Sequence, residues 1–145
     1  MSTGTRRTGR SYALQLLYAR DGDLSNNLAG AAINWAQDFD LDVDEPAQVF
    51  ARELVTAAVE RSAELDELIA SASKNWRIDR MSRVDRNILR LGAWELLERK
   101  DVPRAVILDE AVELAKAYGT AESSAFVNGV LARVARDVGR SGETA

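Results

Sequence analysis

The chain contains no histidine and no cysteine. Without them, Ser–His and Cys–His nucleophile pairs cannot form. Zinc sites of the usual nitrogen and sulfur donors and carboxylate–histidine di-iron centres are excluded as well. There is no disulfide framework, which permits the cytoplasm. Proline occurs only twice, which points away from disorder. No apolar run approaches about 18 residues, so no transmembrane helix and no membrane association are expected. The polar, basic N-terminus has no adjoining apolar signal core, so export is not expected and the cytoplasm is the expected location. Carboxylates, lysines, tyrosines and hydroxyls remain for catalysis, and the expectation is that the chain is not an enzyme.

What is present suits a single helical domain. The chain has 145 residues, 46% of them apolar, enough to bury a core unaided. The net charge of −4 argues by itself against nucleic acid, but it is unevenly spread. Residues 1–20 carry +4, residues 21–73 carry −10, residues 74–100 carry +4 and residues 101–145 carry −2. The two basic segments read as local electrostatic footprints in an acidic protein.

The stretch Trp76–Lys100 organises the rest. From Val84 to Leu97 the apolar positions cover more than one stripe, which predicts a helix packed on most of its surface. Arg77, Arg80, Arg83, Arg86 and Arg90 recur every three or four residues through it. Before it, periodicity predicts helices from about Thr8 to Arg20, from Leu24 to Phe39, and from Pro46, with a break near Ser62. The acidic run Asp38–Glu45 lacks the glycine and closing glutamate of a calcium loop and reads as a solvated loop. After the short connection Asp101-Val102-Pro103, Pro103 is suited to begin a helix carrying Ala105, Leu108, Ala111, Val112, Ala115 and Tyr118, which is expected to end at Gly119 as its C′ glycine. Ser123 or Ser124 is suited to cap a last helix, with Phe126, Val127, Val130, Leu131 and Val134 inward. The tail from Gly139 is expected to fray. With no β-alternation, the fold class is all-α, about seven helices joined by short connections.

Three clusters are candidate sites. Arg6, Arg7 and Arg10 lead into the first helix, where cations oppose the macrodipole unless an anion compensates them. Their planar forks suit phosphate; a solubilising terminus is the competing reading. Tyr118-Gly119 through Phe126-Val127-Asn128-Gly129 sets aromatics beside a turn, as single-stranded RNA binding requires. Periodicity instead favours Tyr118 and Phe126 as core. Gly129 inside an apolar helix predicts a close backbone approach to another helix or a ligand. Asp109 and Glu113 share a helical face, but a solvated surface with Lys116 paired to Glu113 is favoured over acid–base chemistry.

Six segments in order carry a resemblance: R-x-x-x-R-x-x-A-x-x-x-L-Y over Arg6–Tyr18, FARELV from Phe50, ELDELI from Glu64, WRIDRMSRVDRNILR from Trp76, DEAVELAK from Asp109, and FVNGVL from Phe126. Together they resemble the NusB family of bacterial transcription antitermination factors along nearly the whole chain. The resemblance implies a NusB-like fold of two packed three-helix bundles over residues 1–145, an N-terminal one at about 5–73 and a C-terminal one at about 76–138. It implies no enzymatic activity and no cofactor. The implied partners are the small-subunit ribosomal protein NusE, boxA-type single-stranded RNA of ribosomal operons, and the RNA polymerase antitermination complex. Arg6, Arg7 and Arg10 match the family's RNA-binding arginines, and Tyr118, Glu122, Phe126 and Asn128 lie at or beside its RNA-facing turn. Tyr18 matches a position tied to RNA or NusE contact. Asp85 does too, and with Arg86 it is expected to face the protein partner. Gly9, Ser11 and Asp109 depart from the family pattern; the first two are expected to loosen the first helix.

Two other classes compete. NusB-like domains also precede ribosomal-RNA cytosine methyltransferases, but such an enzyme needs a glycine-rich cofactor domain and a nucleophilic cysteine, and these 145 residues hold neither. A protein-only helical adaptor would leave the basic segments solvated. Homodimerisation that buries the arginine surface is a further expectation. The arginine row of the central stretch is expected to pair mainly with the acidic first half rather than grip phosphate.

Overall fold

The computed structural model describes residues 3–22, 44–74 and 76–140. Among them the chain forms six α-helices, one 3₁₀ turn and no strand. The helices are α1 (Thr3–Gly22), α2 (Glu45–Glu60), α3 (Ser62–Ala72), α4 (Arg83–Glu98), α5 (Arg104–Tyr118) and α6 (Ser123–Asp137), with the 3₁₀ turn at Ile78–Arg80. The helix expected over Leu24–Phe39 and the acidic run up to Val43 lie outside the described residues.

The contacts divide the chain into two compact units, Met1–Ala57 and Ala58–Ala145. Within the second unit, α3 packs with α4 and α6.

In the first unit, α1 begins five residues earlier than the apolar pattern suggests. Arg6 and Arg7 thus lie beyond the first turn, where the macrodipole penalty has largely decayed. The apolar stripe is buried as expected at Tyr12, Ala13, Leu14, Leu16 and Leu17. Asp44 is the cap of α2: its Oδ1 accepts from the Ala47 N–H at 3.0 Å. Gly9 is buried, and a Cβ there would lie 2.6 Å from Phe50 Cδ1 and 3.1 Å from the Ala47 carbonyl oxygen. The glycine expected to loosen α1 instead admits the ring and backbone of α2.

The second unit is built around α4. Ile88, Leu89, Leu91, Gly92, Ala93, Trp94 and Leu96 are all buried, as are Asn87 and Glu95. The broad apolar coverage read from the sequence has this cause: α3, α5 and α6 all pack on α4. At Gly92 α6 comes close, since a Cβ there would meet Leu131 Cδ1 at 2.6 Å. Of the two close approaches expected at Gly129, that of another helix is not made. No atom lies within 4 Å of a Cβ built there, and Asn128 and Gly129 both face outward. The apolar stripe of α6 runs through Val127, Val130, Leu131 and Val134, which turns residues 128 and 129 away from α4.

The ends of these helices also differ in detail from the sequence reading. Arg61 is the single turn residue between α2 and α3, so the break near Ser62 is present. Pro103 is the N-cap of α5 rather than its first residue. Gly119 closes α5 with extended rather than left-handed backbone, at φ −98° and ψ −163°. Its requirement for glycine is spatial, because a Cβ would sit 2.5 Å from Ser123 Oγ. Neither Ser123 nor Ser124 is the N-cap of α6, which is Glu122; the buried Ser123 hydroxyl accepts from the Thr120 N–H at 2.9 Å and ties the preceding turn to the helix.

At the C-terminal end of α6, Gly139 adopts φ +84°, the left-handed conformation that favours glycine. The Arg140 N–H then donates to the Ala135 carbonyl at 2.7 Å. Reversal of the chain carries the Arg140 side chain inward, where it is only 4% exposed. Its Nη1 donates to Leu96 O at 3.2 Å and Arg99 O at 3.3 Å, and its Nη2 to Val102 O at 2.7 Å. The tail expected to fray from Gly139 is instead anchored at this arginine.

Candidate nucleic-acid interface

The expected site residues fall on both units. On α1, Arg7 is exposed, and Arg6 and Tyr18 are half-buried. Arg10 is different. It is 4% exposed, and its guanidinium carbon stands 5.6 Å from the centroid of the Phe50 ring. A cation over an aromatic face contributes about 0.5–2 kcal/mol, the more when desolvated. In this conformation Arg10 braces α1 against α2, and Arg7 is the arginine of the three most open to a ligand.

On the second unit the fold brings together three of the expected residues, Asp85, Glu122 and Phe126. They line a cleft of about 180 Å³ with Trp76, Arg80, Met81 and Ser82. The arrangement follows from local structure. Ser82 caps α4, its Oγ accepting from the Asp85 N–H at 3.0 Å, and so fixes Asp85 in the first turn. Ser73 receives the Trp76 N–H on its carbonyl at 2.9 Å, which fixes the loop carrying the indole. Glu122 accepts from Thr120 Oγ1 at 3.1 Å in the turn before α6.

The aromatic groups here are not core, although periodicity favoured that for Tyr118 and Phe126. Tyr118 is 39% exposed at the end of α5. Phe126 is half-buried and meets Trp76 edge to face, with centroids 6.2 Å apart and planes at 74°. Tyr118, Asn128 and Arg86 do not line the cleft. Arg86 Nη1 donates to Ile78 O at 3.4 Å, so part of its fork reaches the 3₁₀ turn.

The arginine row divides by role. Arg90 makes two hydrogen bonds to Asp66, Nε to Oδ1 at 2.8 Å and Nη2 to Oδ2 at 3.0 Å, with Asn87 Oδ1 accepting from Nη1 at 3.1 Å. Arg77 pairs with its neighbour Asp79 at 3.0 Å. Pairing with the acidic first half is therefore shown for Arg90, whereas exposed Arg80 lines the cleft. Trp76 and Arg80 line the cleft without having been among the expected site residues. The available signal was a tryptophan between two polar residues, outside any helical stripe.

The carboxylates of α5 show no such gathering. Asp109 and Glu113 are exposed, and Lys116 Nζ lies 3.6 Å from Glu113 Oε1, the solvated pair expected. No cluster of three or more carboxylates able to hold a metal occurs among the described residues. No helix among them is long and apolar enough to cross a membrane.

Comparison with known proteins decides among the classes. The family model of the NusB family matches residues 7–136. The chain belongs to the NusB family. It is 53% identical over 137 residues to the transcription antitermination protein NusB of Sorangium cellulosum, covering 94% of this chain and 96% of the relative. It is 50% identical to NusB of Myxococcus xanthus, over 91% of this chain and 95% of the relative. Among solved structures, NusB of T. maritima aligns with a TM-score of 0.81 at 36% identity, covering 94% of both chains. A structure of the antitermination factors NusB and NusE in complex with double-stranded RNA aligns at 0.80 and 28% identity, covering 94% of this chain and 99% of that one. The chain is thus an all-helical, NusB-type antitermination factor and not an enzyme.

Proposed function

We propose that this protein binds boxA-type single-stranded RNA jointly with the ribosomal protein NusE and so supports transcription of ribosomal RNA operons by an antiterminating RNA polymerase. The observation that carries the RNA part is the pair of aromatics left open at the turn before α6, Tyr118 exposed and Phe126 half-buried, where helical periodicity alone would have buried both. Unpaired RNA is held by stacking on such faces and by cations along its backbone. Arg6 and Arg7 supply the phosphate contacts from α1, with Arg10 bracing that helix from within. Tyr18, Tyr118, Glu122, Phe126 and Asn128 complete the RNA-facing set. NusE is assigned to Asp85 and Arg86, with Tyr18 shared. The solved complex of a NusB and a NusE with double-stranded RNA supports NusE and RNA as classes of partner.

The test is co-purification of the tagged chain from its own cells, followed by identification of bound protein and sequencing of bound RNA. NusE together with boxA-containing leader RNA is the expected yield. Recovery of a protein partner that survives ribonuclease, with no enrichment of boxA RNA, would instead favour a protein-only adaptor.

A further inference from the structure

We propose that the groove between α3 and α6 is the contact face of a weak, two-fold symmetric dimer, in which Glu67 of each copy pairs with Lys74 of the other. The pairing is independent of the RNA and NusE reading above.

The groove has a volume of about 470 Å³, against about 180 Å³ for the cleft at Trp76. Glu67, Leu68, Ser71 and Lys74 line it from α3 and the turn after it, and Arg133 and Asp137 line it from α6. Half-buried Leu68 gives it an apolar spot. Most of its charges are already matched within the chain. Glu64, the remaining lining residue, is held by Arg61 Nη2 at 2.8 Å, and Arg133 Nε lies 3.3 Å from Asp137 Oδ1. Glu67 and Lys74 are the exception. Both are exposed, and neither side chain makes a hydrogen bond or ion pair among the described residues.

The unmatched remainder is one anion and one cation, about two helical turns apart in the chain. A polyanion such as RNA meets repulsion from Glu67, and a basic segment meets repulsion from Lys74. The surface that matches both presents the same two charges in reverse order. A two-fold rotation of this groove supplies it, because an isologous contact sets residue i against j and j against i. The midpoint of the pair falls between Ala70 and Ser71, both small and exposed, so two antiparallel α3 helices meet no bulky side chain at the axis. The face is small and its ion pairs lie in water, which makes the dimer weak and salt-sensitive. None of the lining residues belongs to the RNA-facing or NusE-facing sets, so this dimer, unlike one closed over the α1 arginines, uses neither.

The test is sedimentation equilibrium of the full chain across the micromolar to millimolar range, at low and at high salt. Wild type is compared with Glu67→Lys, Lys74→Glu, the double variant carrying both changes, an equimolar mixture of the two single variants, and Arg7→Ala. Wild type is expected to dimerise within that range, less so at high salt. Each single variant turns two attractive pairs into repulsive ones and should weaken the dimer about 10- to 100-fold. The double variant restores both pairs in reverse order and should recover wild-type association. The mixture should form a heterodimer, since each chain of one kind then sets its two like charges against two opposite ones. Arg7→Ala should associate as wild type does. Circular dichroism melts check that the exposed substitutions leave the fold intact. A monomer throughout the range overturns the proposal, as does a dimer that both single variants leave unchanged. Weakening in the single variants without recovery in the double variant and the mixture overturns it too, because pairing would then not be the cause. A dimer altered by Arg7→Ala and not by the α3 variants is the one closed over the arginines, and it overturns the proposal as well.

Discussion

Replacing Arg140 by alanine should destabilise the protein well beyond a surface substitution. The guanidinium is almost fully buried and donates to three carbonyls, those of Leu96 and Arg99 at the end of α4 and that of Val102 in the connection to α5. A hydrogen bond from a charged donor contributes about 1.5–3 kcal/mol, and the three are not additive because they share one group. Truncation also returns about 2 kcal/mol of side-chain entropy. Cation and helix C-terminus attract, which adds to the loss when the charge is removed. A net cost of about 2–4 kcal/mol follows, and at about 2–4 °C per kcal/mol for a chain near this size the melting temperature should fall by about 5–15 °C. Arg140→Lys should recover only part of this, since an ammonium lacks the planar fork that spans several carbonyls. Thermal melts by circular dichroism, supported by urea unfolding, provide the readout. A fall of under about 2 °C for the alanine variant, or full rescue by lysine, would refute the reasoning and show that desolvation cancels the three bonds.

Other perturbations probe separate parts of the account. Gly9→Ala should destabilise the protein by about 1–2 kcal/mol in urea titrations, because overpacking against the buried Phe50 outweighs the roughly 1 kcal/mol gained in helix propensity. A double-mutant cycle on Arg90 and Asp66, a two-bond pair with side chains 16% and 32% exposed, should return a coupling of about 1 kcal/mol that decreases with added salt. Burial raises the Tyr12 phenol above its ordinary 10.0, with Arg52 opposing the shift. Because the folded value lies above the unfolded one, unfolding becomes easier as the pH rises above 10, so phenolate absorbance should develop late and coincide with loss of helicity. Arg7→Ala should weaken binding to every single-stranded RNA and reduce the slope of log affinity against log salt by about 0.7, the value for one phosphate of a single strand left unneutralised.

The helices were legible because burial follows periodicity. The crowded apolar positions of Val84–Leu97 announced a central helix, and α4 is that helix. What spacing could not convey was three-dimensional crowding. Gly9, Gly92 and Gly119 are small because a ring, a leucine and a serine stand beside them, whereas Gly129, which looked equally constrained, faces open space. Arg10 belongs by sequence with Arg6 and Arg7, yet one more helical turn takes it over Phe50. The aromatics at the turn before α6 were singled out from the sequence as a candidate RNA-facing site. Its partner across the cleft, Trp76, was not, because it comes from a loop about fifty residues earlier and follows no helical stripe. Arg140 was assigned to a fraying tail because only the left-handed turn at Gly139 redirects it inward.

The central claim is joint recognition of RNA by this chain and NusE, and one thermodynamic cycle tests it most directly. Affinity for a boxA-type RNA is measured for the chain alone, for NusE alone and for the two together, at one fixed salt concentration. The account predicts that NusE raises the chain's RNA affinity and that the RNA raises NusE affinity by the same factor. It also predicts that scrambling the RNA sequence removes the gain. Equal affinity with and without NusE, or equal affinity for boxA and scrambled RNA, would contradict it.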